Sequence, residues 1–197
     1  MLKIGITGGI GSGKTTVCKV FETLGIPVFY ADAAAKLAMV SDPVLMEGIK
    51  EAFGQESYHS DGTLNNKHIA AIVFATQVEL DKLNSLVHPA VFKAFEKWTN
   101  AIVKPVPYVL KEAALLFESG SYQQCDKNIL VTSPLALRVA RVMQRDNISE
   151  GQVLARMDKQ FTDDQKIKMA DYFISNASTD SIILQVLNLH EKFLQLI

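Results

Sequence analysis

The sequence predicts an α/β fold in which helices cover both faces of a five-stranded parallel sheet. Three observations support this prediction. Short apolar segments alternate with longer segments of helical periodicity, which is the order typical of parallel sheets. A glycine-rich loop follows the first apolar segment and leads into the first helix. The 197 residues, 48% of them hydrophobic, suffice for one sizeable domain with inserted elements.

The glycine-rich loop matches the phosphate-binding pattern G-x-x-x-x-G-K-[ST]. Its fixed positions are Gly8, Gly13, Lys14 and Thr15. Glycines allow successive backbone N–H groups to point at one phosphate cluster, and the N-terminus of the following helix adds positive charge. We therefore predict a P-loop NTPase fold in which Lys14 reaches the β- and γ-phosphates and Thr15 holds Mg²⁺.

Composition narrows the class of protein. The net charge of −1 argues against a general nucleic-acid or membrane-surface binder. Cys18 and Cys125 lack metal-site spacing, so we expect free thiols in a reducing compartment. No apolar run reaches membrane-spanning length, and we expect no signal peptide because the chain opens with a strand of the fold. We expect a cytoplasmic monomer that binds neither nucleic acid nor membranes.

The second strand is predicted over 28–31, and Asp32 follows it directly. A carboxylate at the carboxyl end of a parallel strand lies on the edge where open α/β sheets bind ligands. Asp32 is therefore a candidate catalytic residue. The alternative is that Asp32 is the N-cap of the next helix, a role that does not exclude catalysis.

Residues 42–104 are predicted to be mainly helical and to form a substrate-covering insertion, because a simple crossover needs far fewer residues. Asp42-Pro43 begins one helix, and Thr76 with Glu79 forms a capping box for another. Proline disfavours helix in the residue before it, so we expect His88-Pro89 to interrupt that second helix. The aromatic residues that follow favour a core role over a binding surface.

The third and fourth strands are predicted over 108–112 and 128–132, and a helix begins after Ser133-Pro134. The four arginines of the chain all lie in or just after this helix, at Arg138, Arg141, Arg145 and Arg156. Spacing puts the first three on one face, with Asp146 as the nearest acid. Arginine suits bidentate contacts with phosphate, so this face predicts anion binding; a solvated basic face is the alternative.

The remaining segments complete the domain. Further capping boxes are predicted at Ser149 with Gln152, whose helix is expected to carry Gln160, and at Thr162 with Gln165. The fifth strand and its exit turn are predicted over 170–176, and the last helix from about Ser181. We expect a single domain with a core (about 1–41, 105–133 and 169–197), the helical insertion (about 42–104) and a helical lid over the phosphates (about 134–168).

Among P-loop proteins, the sequence favours a phosphoryl-transfer enzyme over a switch or a motor. The guanine-reading segment N-K-x-D is absent, since Asn66-Lys67-His68-Ile69 lacks the aspartate, and no convincing apolar strand ends in the aspartate of a motor. Small size, a helical insertion and an arginine lid are typical of nucleoside-monophosphate-kinase-like enzymes. Two alternatives stay open: another small-molecule P-loop kinase, and a regulatory module that binds nucleotide without turnover.

The ordered set of motifs resembles the dephospho-CoA kinase family from Leu2 to about Ser178. The resemblance is carried by 6–17, Leu24-Gly25, Ala31-Asp32, Val87-His88-Pro89, 115–118, 141–146 and 170–176. The P-loop alone is shared by many kinases, whereas the whole set in this order is specific. The family uses ATP to phosphorylate the 3′-hydroxyl of dephospho-CoA, the last step of CoA synthesis.

The resemblance implies roles for individual residues. The predicted ligands of the ATP phosphates are Gly11, Ser12, Gly13, Lys14, Thr15 and Thr16, with Mg²⁺ held by Thr15 and Asp32. Asp32 would act as general base or orient the acceptor hydroxyl, and Arg141 would contact the transferred phosphoryl group. Arg145 would be a further lid arginine, and Asn176 would lie near the adenine. The acceptor pocket would be formed in part by His88, Pro89 and Phe117.

Three positions depart from the family pattern. Ala113-Ala114 stands where the family commonly has Ile-Pro, which affects the turn after the third strand and its contact with the acceptor. Thr15 replaces a common serine and keeps the hydroxyl. Ser175 stands where aspartate is frequent, which we expect to matter little.

Overall fold

The computed structural model describes residues 1–196, and its strands form one five-stranded sheet. The strands are β1 (Leu2–Thr7), β2 (Val28–Tyr30), β3 (Tyr108–Glu112), β4 (Lys127–Thr132) and β5 (Tyr172–Ser175). Their order is β2-β3-β1-β4-β5, and every neighbouring pair is parallel. The predicted α/β fold with a five-stranded parallel sheet is therefore confirmed.

Helices separate the strands along the chain. They are α1 (Lys14–Thr23), α2 (Ala31–Ser41), α3 (Pro43–Phe53), α4 (Asn66–Val73), α5 (Gln77–Asn100), α6 (Leu135–Asp146), α7 (Glu150–Met157), α8 (Asp163–Ile167) and α9 (Ile182–Leu194), with 3₁₀ turns at Gln55–Ser57 and Ser121–Gln124. Within residues 1–196, none of these helices combines the length and apolarity that a membrane span requires. The chain divides into two compact units, one made of residues 1–30 and the chain from residue 102 onward, the other of residues 31–101.

The first unit contains the whole sheet, with β1 at its centre. Ile4 and Ile6 of β1 are fully buried in one apolar cluster with Phe21 of α1 and Phe193 of α9. Burying each such side chain contributes about 1.5–3 kcal/mol. The loop between β1 and α1 is therefore attached at both ends to the most deeply buried part of this unit.

The second unit is helical, and α5 packs against α2, α3 and α4. Its helix starts agree with the sequence: the Asp42 carboxylate accepts hydrogen bonds from the amides of Val44 and Leu45 at 3.0 and 3.2 Å, just before α3. Thr76 caps α5 by accepting from the Glu79 amide at 3.3 Å, but the reciprocal bond of the predicted capping box, from the Thr76 amide to the Glu79 side chain, does not appear in the described chain. These caps satisfy backbone donors that the first helical turn leaves without partners.

The prediction that His88-Pro89 interrupts a helix is wrong. A single helix, α5, runs through Pro89 to Asn100. Its buried face continues on both sides of the proline, with Val87, Val91 and Phe95 all less than 9% exposed. Three buried apolar side chains contribute roughly 5–9 kcal/mol, which exceeds the ~3 kcal/mol cost of a proline in a helix interior. Tertiary packing therefore outweighs the local preference.

Candidate active site

The glycine-rich loop connects β1 to α1, as the motif predicts. β1 ends at Thr7, and α1 begins at Lys14 with Gly13 as its N-cap residue. The Nζ atom of Lys14 donates to the Gly8 carbonyl at 2.9 Å, across the loop. The cation and the N-terminus of α1 therefore face the same small region, which is the arrangement that binds a phosphate group.

Two loop positions require glycine for more than one reason. Gly11 and Gly13 have φ values of 78° and 92°, a region that side chains rarely adopt. A Cβ atom on Gly13 would also meet the side-chain amide of Asn176, and one on Gly11 would meet the backbone of Arg138. Two distant segments of the chain thus approach the loop closely enough to exclude any side chain there.

Thr15 and Thr16 lie in the first turn of α1, and both are exposed. No hydrogen bond is made by the Thr15 hydroxyl within the described part of the first unit, so its oxygen is available to a ligand. Magnesium prefers hard oxygen donors and usually keeps several water or phosphate ligands, which this single hydroxyl fits. Residues 1–196 contain no group of three His, Cys, Asp or Glu side chains arranged to hold a metal.

Arg141, in the helix that follows β4, and Asn176, directly after β5, both contact the loop. Arg141 donates to the Gly11 carbonyl at 3.4 Å and to Ser133 Oγ at 3.1 Å. Its second terminal nitrogen donates to the Asn176 carbonyl at 3.2 Å. The Asn176 side chain donates to the Ser12 carbonyl at 2.7 Å. The structure thus brings both of these predicted site residues to the carboxyl edge of the sheet, beside the loop.

Arg138 differs from Arg141, although both lie in α6. Its guanidinium is buried and forms an ion pair with Asp163 at 2.8 Å. The expectation that α6 presents three arginines to an anion is therefore wrong for Arg138. Asp163 lies 25 residues away in the chain, so the spacing of acids around α6 does not reveal this partner.

Gln160 makes a contact with the glycine-rich loop that the sequence did not predict. α7 ends at Met157, so the expectation that its helix carries Gln160 is also wrong. Instead, Gln160 accepts a hydrogen bond from the Ile10 amide of the loop at 2.8 Å. A contact across 150 residues leaves no local pattern in the sequence.

Arg145 lies at the exposed end of α6 and bonds to Asp146 at 2.7 Å. Asp146 also accepts from Arg156 of α7 at 2.7 Å. The hydrogen bond from Arg145 lowers the pKa of the Asp146 carboxyl, and the same bond raises the pKa of Arg145. In the described chain no hydrogen bond joins Arg145 to the loop, whereas Arg141 is bonded to it.

Glu112 is a carboxylate at the same sheet edge that sequence analysis also missed. It ends β3 opposite Ile6 of β1 and is 7% exposed. Burial raises the pKa of the Cys18 thiol, and the charge of Glu112 raises it further, which places this carboxylate near α1. A search for an apolar strand ending in aspartate misses β3, because this strand ends in Lys111-Glu112.

Asp32 belongs to the second unit and is the second residue of α2. It is exposed and lies in the first helical turn, beyond the N-cap position that was the alternative role. Among the described residues of its own unit, no side chain or amide is bonded to its carboxylate. The charge is therefore available to a ligand, and the helix N-terminus stabilises it.

The remaining predicted acceptor-pocket residues differ in exposure. In α5, Pro89 is exposed, and the half-buried His88 stacks on Phe92 with ring centroids 6.3 Å apart. Phe117, in the first unit, is 3% exposed and packs edge-on against Tyr122 at 5.7 Å. Its ring is therefore occupied by protein contacts.

Comparisons with known proteins agree on one family. A family model described as dephospho-CoA kinase matches residues 2–181. A dephospho-CoA kinase of Salinibacter ruber is 44% identical over 180 residues, covering 91% of this chain and 90% of that protein. One from Chlorobaculum tepidum is 37% identical and covers 100% of this chain and 97% of that protein.

Solved structures share the fold, and one of those reported below is a dephospho-CoA kinase. A crystal structure of a Thermus thermophilus protein superposes with a TM-score of 0.85 at 32% identity, covering 97% of this chain and 96% of that one. Dephospho-CoA kinase from Campylobacter jejuni gives a TM-score of 0.72 at 25% identity, covering 98% and 97%. A shikimate kinase from Bacteroides thetaiotaomicron, 14% identical with a TM-score of 0.54, shares the fold.

Proposed function

The chain belongs to the dephospho-CoA kinase family, and we propose that it transfers the γ-phosphoryl group of ATP to the 3′-hydroxyl of dephospho-CoA, giving CoA and ADP. The observation that carries this proposal is the convergence of Lys14, Arg141 and Asn176 on one glycine-rich loop. Phosphoryl transfer depends mainly on positioning and on neutralising charge, and these groups supply both.

On the nucleotide side, the backbone of residues 11–16 binds the phosphates, and Lys14 neutralises the charge on the β- and γ-phosphates. Arg141 exchanges its carbonyl contacts for oxygens of the transferred group. Asn176, already bonded to the loop, forms part of the adenine site. Arg145 joins the phosphates only by leaving Asp146, which makes it the weaker of the two lid arginines.

For the metal, we propose that Thr15 and Asp32 hold Mg²⁺ together with phosphate oxygens. When bound, the ion neutralises negative charge on the phosphates. The resemblance to the family carries this assignment, and Thr15 and Asp32 are each exposed residues of their own unit.

On the acceptor side, we propose that the Asp32 carboxylate accepts the hydrogen bond, and then the proton, of the ribose hydroxyl. His88, Pro89 and the segment around Phe117 bind the rest of the acceptor. The enzyme is proposed to act as a cytoplasmic monomer, and its two free thiols are consistent with a reducing compartment.

The test is an assay of ADP release with ATP and a panel of acceptors, run on the wild type and on Lys14→Ala. We expect turnover with dephospho-CoA, little with shikimate, sugars or nucleoside monophosphates, and none in the folded Lys14→Ala variant. A preference for another acceptor would favour a different small-molecule kinase. ATP binding without turnover on any acceptor would favour a regulatory module.

A further inference from the structure

Ile10, in the middle of the glycine-rich loop, has both of its backbone polar groups bonded to side chains. Its amide donates to Gln160 Oε1 at 2.8 Å, and its carbonyl accepts from Arg138 Nε at 3.1 Å. Neither side chain belongs to the phosphate-binding motif, and they lie 150 and 128 residues further along the chain. The conformation of the loop is thus fixed from outside at its midpoint.

Arg138 is placed to hold the loop rather than to bind a nucleotide. Its side chain is 8% exposed, and its charge is neutralised by Asp163 at 2.8 Å. The guanidinium also occupies the space next to Gly9 that a Cβ atom would need. The charge of this buried cation is thus compensated by a carboxylate before any phosphate arrives.

Gln160 and Asp163 lie in a short segment, residues 160–166, that is attached to the loop after β3. Gln160 Nε2 donates to the Ala114 carbonyl at 3.1 Å, and the Phe161 amide donates to Glu118 at 2.8 Å. Lys166, which is fully buried, forms an ion pair with Glu118 at 3.1 Å. These three contacts attach the 160–166 segment, and with it the residues that hold Ile10, to the loop after β3.

We propose that Arg138 and Gln160 are positioning residues that hold the glycine-rich loop in its phosphate-binding shape before ATP arrives. The inference rests on the proposed use of ATP. A loop fixed in advance loses less conformational freedom on binding, so these two residues strengthen the binding of ATP without touching it. Asp163 contributes by orienting Arg138 towards Ile10.

The main test compares Gln160→Ala and Arg138→Lys with the control Lys159→Ala, an exposed neighbour of Gln160. Each test variant removes a hydrogen bond to Ile10, and Arg138→Lys does so while keeping the positive charge. We expect ATP affinity by calorimetry and KM for ATP to worsen by about 3- to 10-fold in both variants, and the KM for dephospho-CoA to change little. Unchanged ATP affinity, or equal weakening of both substrates, would overturn the proposal.

Asp163→Asn distinguishes positioning from direct contact between Arg138 and the nucleotide. If Arg138 acts through Ile10, loss of the carboxylate weakens ATP binding because the guanidinium is no longer held in place. If Arg138 touches phosphate, the same change releases a cation and strengthens ATP binding, which would contradict the proposal.

Hydrogen exchange of the Ile10 amide gives a readout independent of turnover. We expect protection in the nucleotide-free wild type and in Lys159→Ala, and faster exchange confined to the loop in Gln160→Ala. Equal exchange in all three proteins would overturn the proposal. A wild type that neither binds ATP nor phosphorylates dephospho-CoA would instead refute the proposed function, so the two failures are distinguishable.

Discussion

At the scale of single residues, Arg141 and Arg138 show how one helix uses the same side chain for two purposes. Arg138 faces a carboxylate, whereas Arg141 is bonded to two carbonyl oxygens and a hydroxyl. Within the described part of the first unit no carboxylate is paired with Arg141. Within that part of the chain its bonded partners are neutral oxygens, which the charged oxygens of a phosphate can replace with a gain in energy.

We predict that Arg141→Lys lowers kcat by about 100-fold or more, because a lysine keeps the charge but loses the planar fork. Steady-state kinetics of Arg141→Lys and of the exposed control Arg156→Lys provide the comparison. We expect KM for ATP to change less than kcat if the contact forms mainly in the transition state. Wild-type kinetics in Arg141→Lys would show that this arginine is only part of a solvated face.

Asp32→Asn tests the proposed base. The side chain is exposed in the first turn of α2, so removing its charge should cost no more than about 1 kcal/mol of stability. We expect a similar melting temperature, retained ATP binding and a large fall in phosphorylation of dephospho-CoA. Full activity would exclude a catalytic role, and a collapsed melting temperature would indicate a structural one.

The pH dependence of thiol reactivity tests how deeply the two cysteines are buried. Burial raises the pKa of Cys125 from 9.0 to about 11 and raises that of Cys18 still more. Because only the thiolate reacts, we expect Cys125 in the native protein at pH 8 to react about 100-fold more slowly than an ordinary thiol. The rate should rise steadily as the pH approaches 11 and should reach the ordinary value after unfolding in denaturant. Rapid native labelling at pH 8 would contradict the described environment.

At the scale of elements, local chemistry made most helix starts predictable. The capping boxes at Ser149 and Thr162 form as expected, because each needs only residues three apart. α5 was not predictable in this way, since the packing that carries it through Pro89 comes from other helices of its unit. The contacts of Arg138 and Gln160 were missed for the same reason.

Because α5 continues through Pro89, we predict that Pro89→Ala stabilises the protein. The ring removes one helical hydrogen bond and crowds the carbonyl of Ser85, so alanine should stabilise the protein by up to about 3 kcal/mol. Thermal and denaturant unfolding measure this change, with Ala90→Gly as a destabilising control in the same turn. An unchanged KM for dephospho-CoA would exclude a role for Pro89 in binding the acceptor. A loss of stability would show that the helix depends on the proline.

At the scale of the whole molecule, the order of strands determines which residues of the first unit meet. The carboxyl ends of β1, β4 and β5 lie at one edge of the sheet, where Ser133 and Asn176 are close to the glycine-rich loop. The sequence motif predicted the loop and its lysine without any knowledge of this order. The partners of Ile10 and the position of Glu112 depend on strand pairing and long-range packing, which no local pattern encodes.

The most direct test of the account is the position of the new phosphate in the product. The purified enzyme is incubated with ATP, Mg²⁺ and dephospho-CoA, and the products are analysed by ³¹P NMR, with Lys14→Ala as the control. We predict one new phosphomonoester on the ribose 3′-hydroxyl, formed in equal amount with ADP, and no product in the control. ADP formed without that phosphomonoester, or a phosphate at another position, would contradict the assignment.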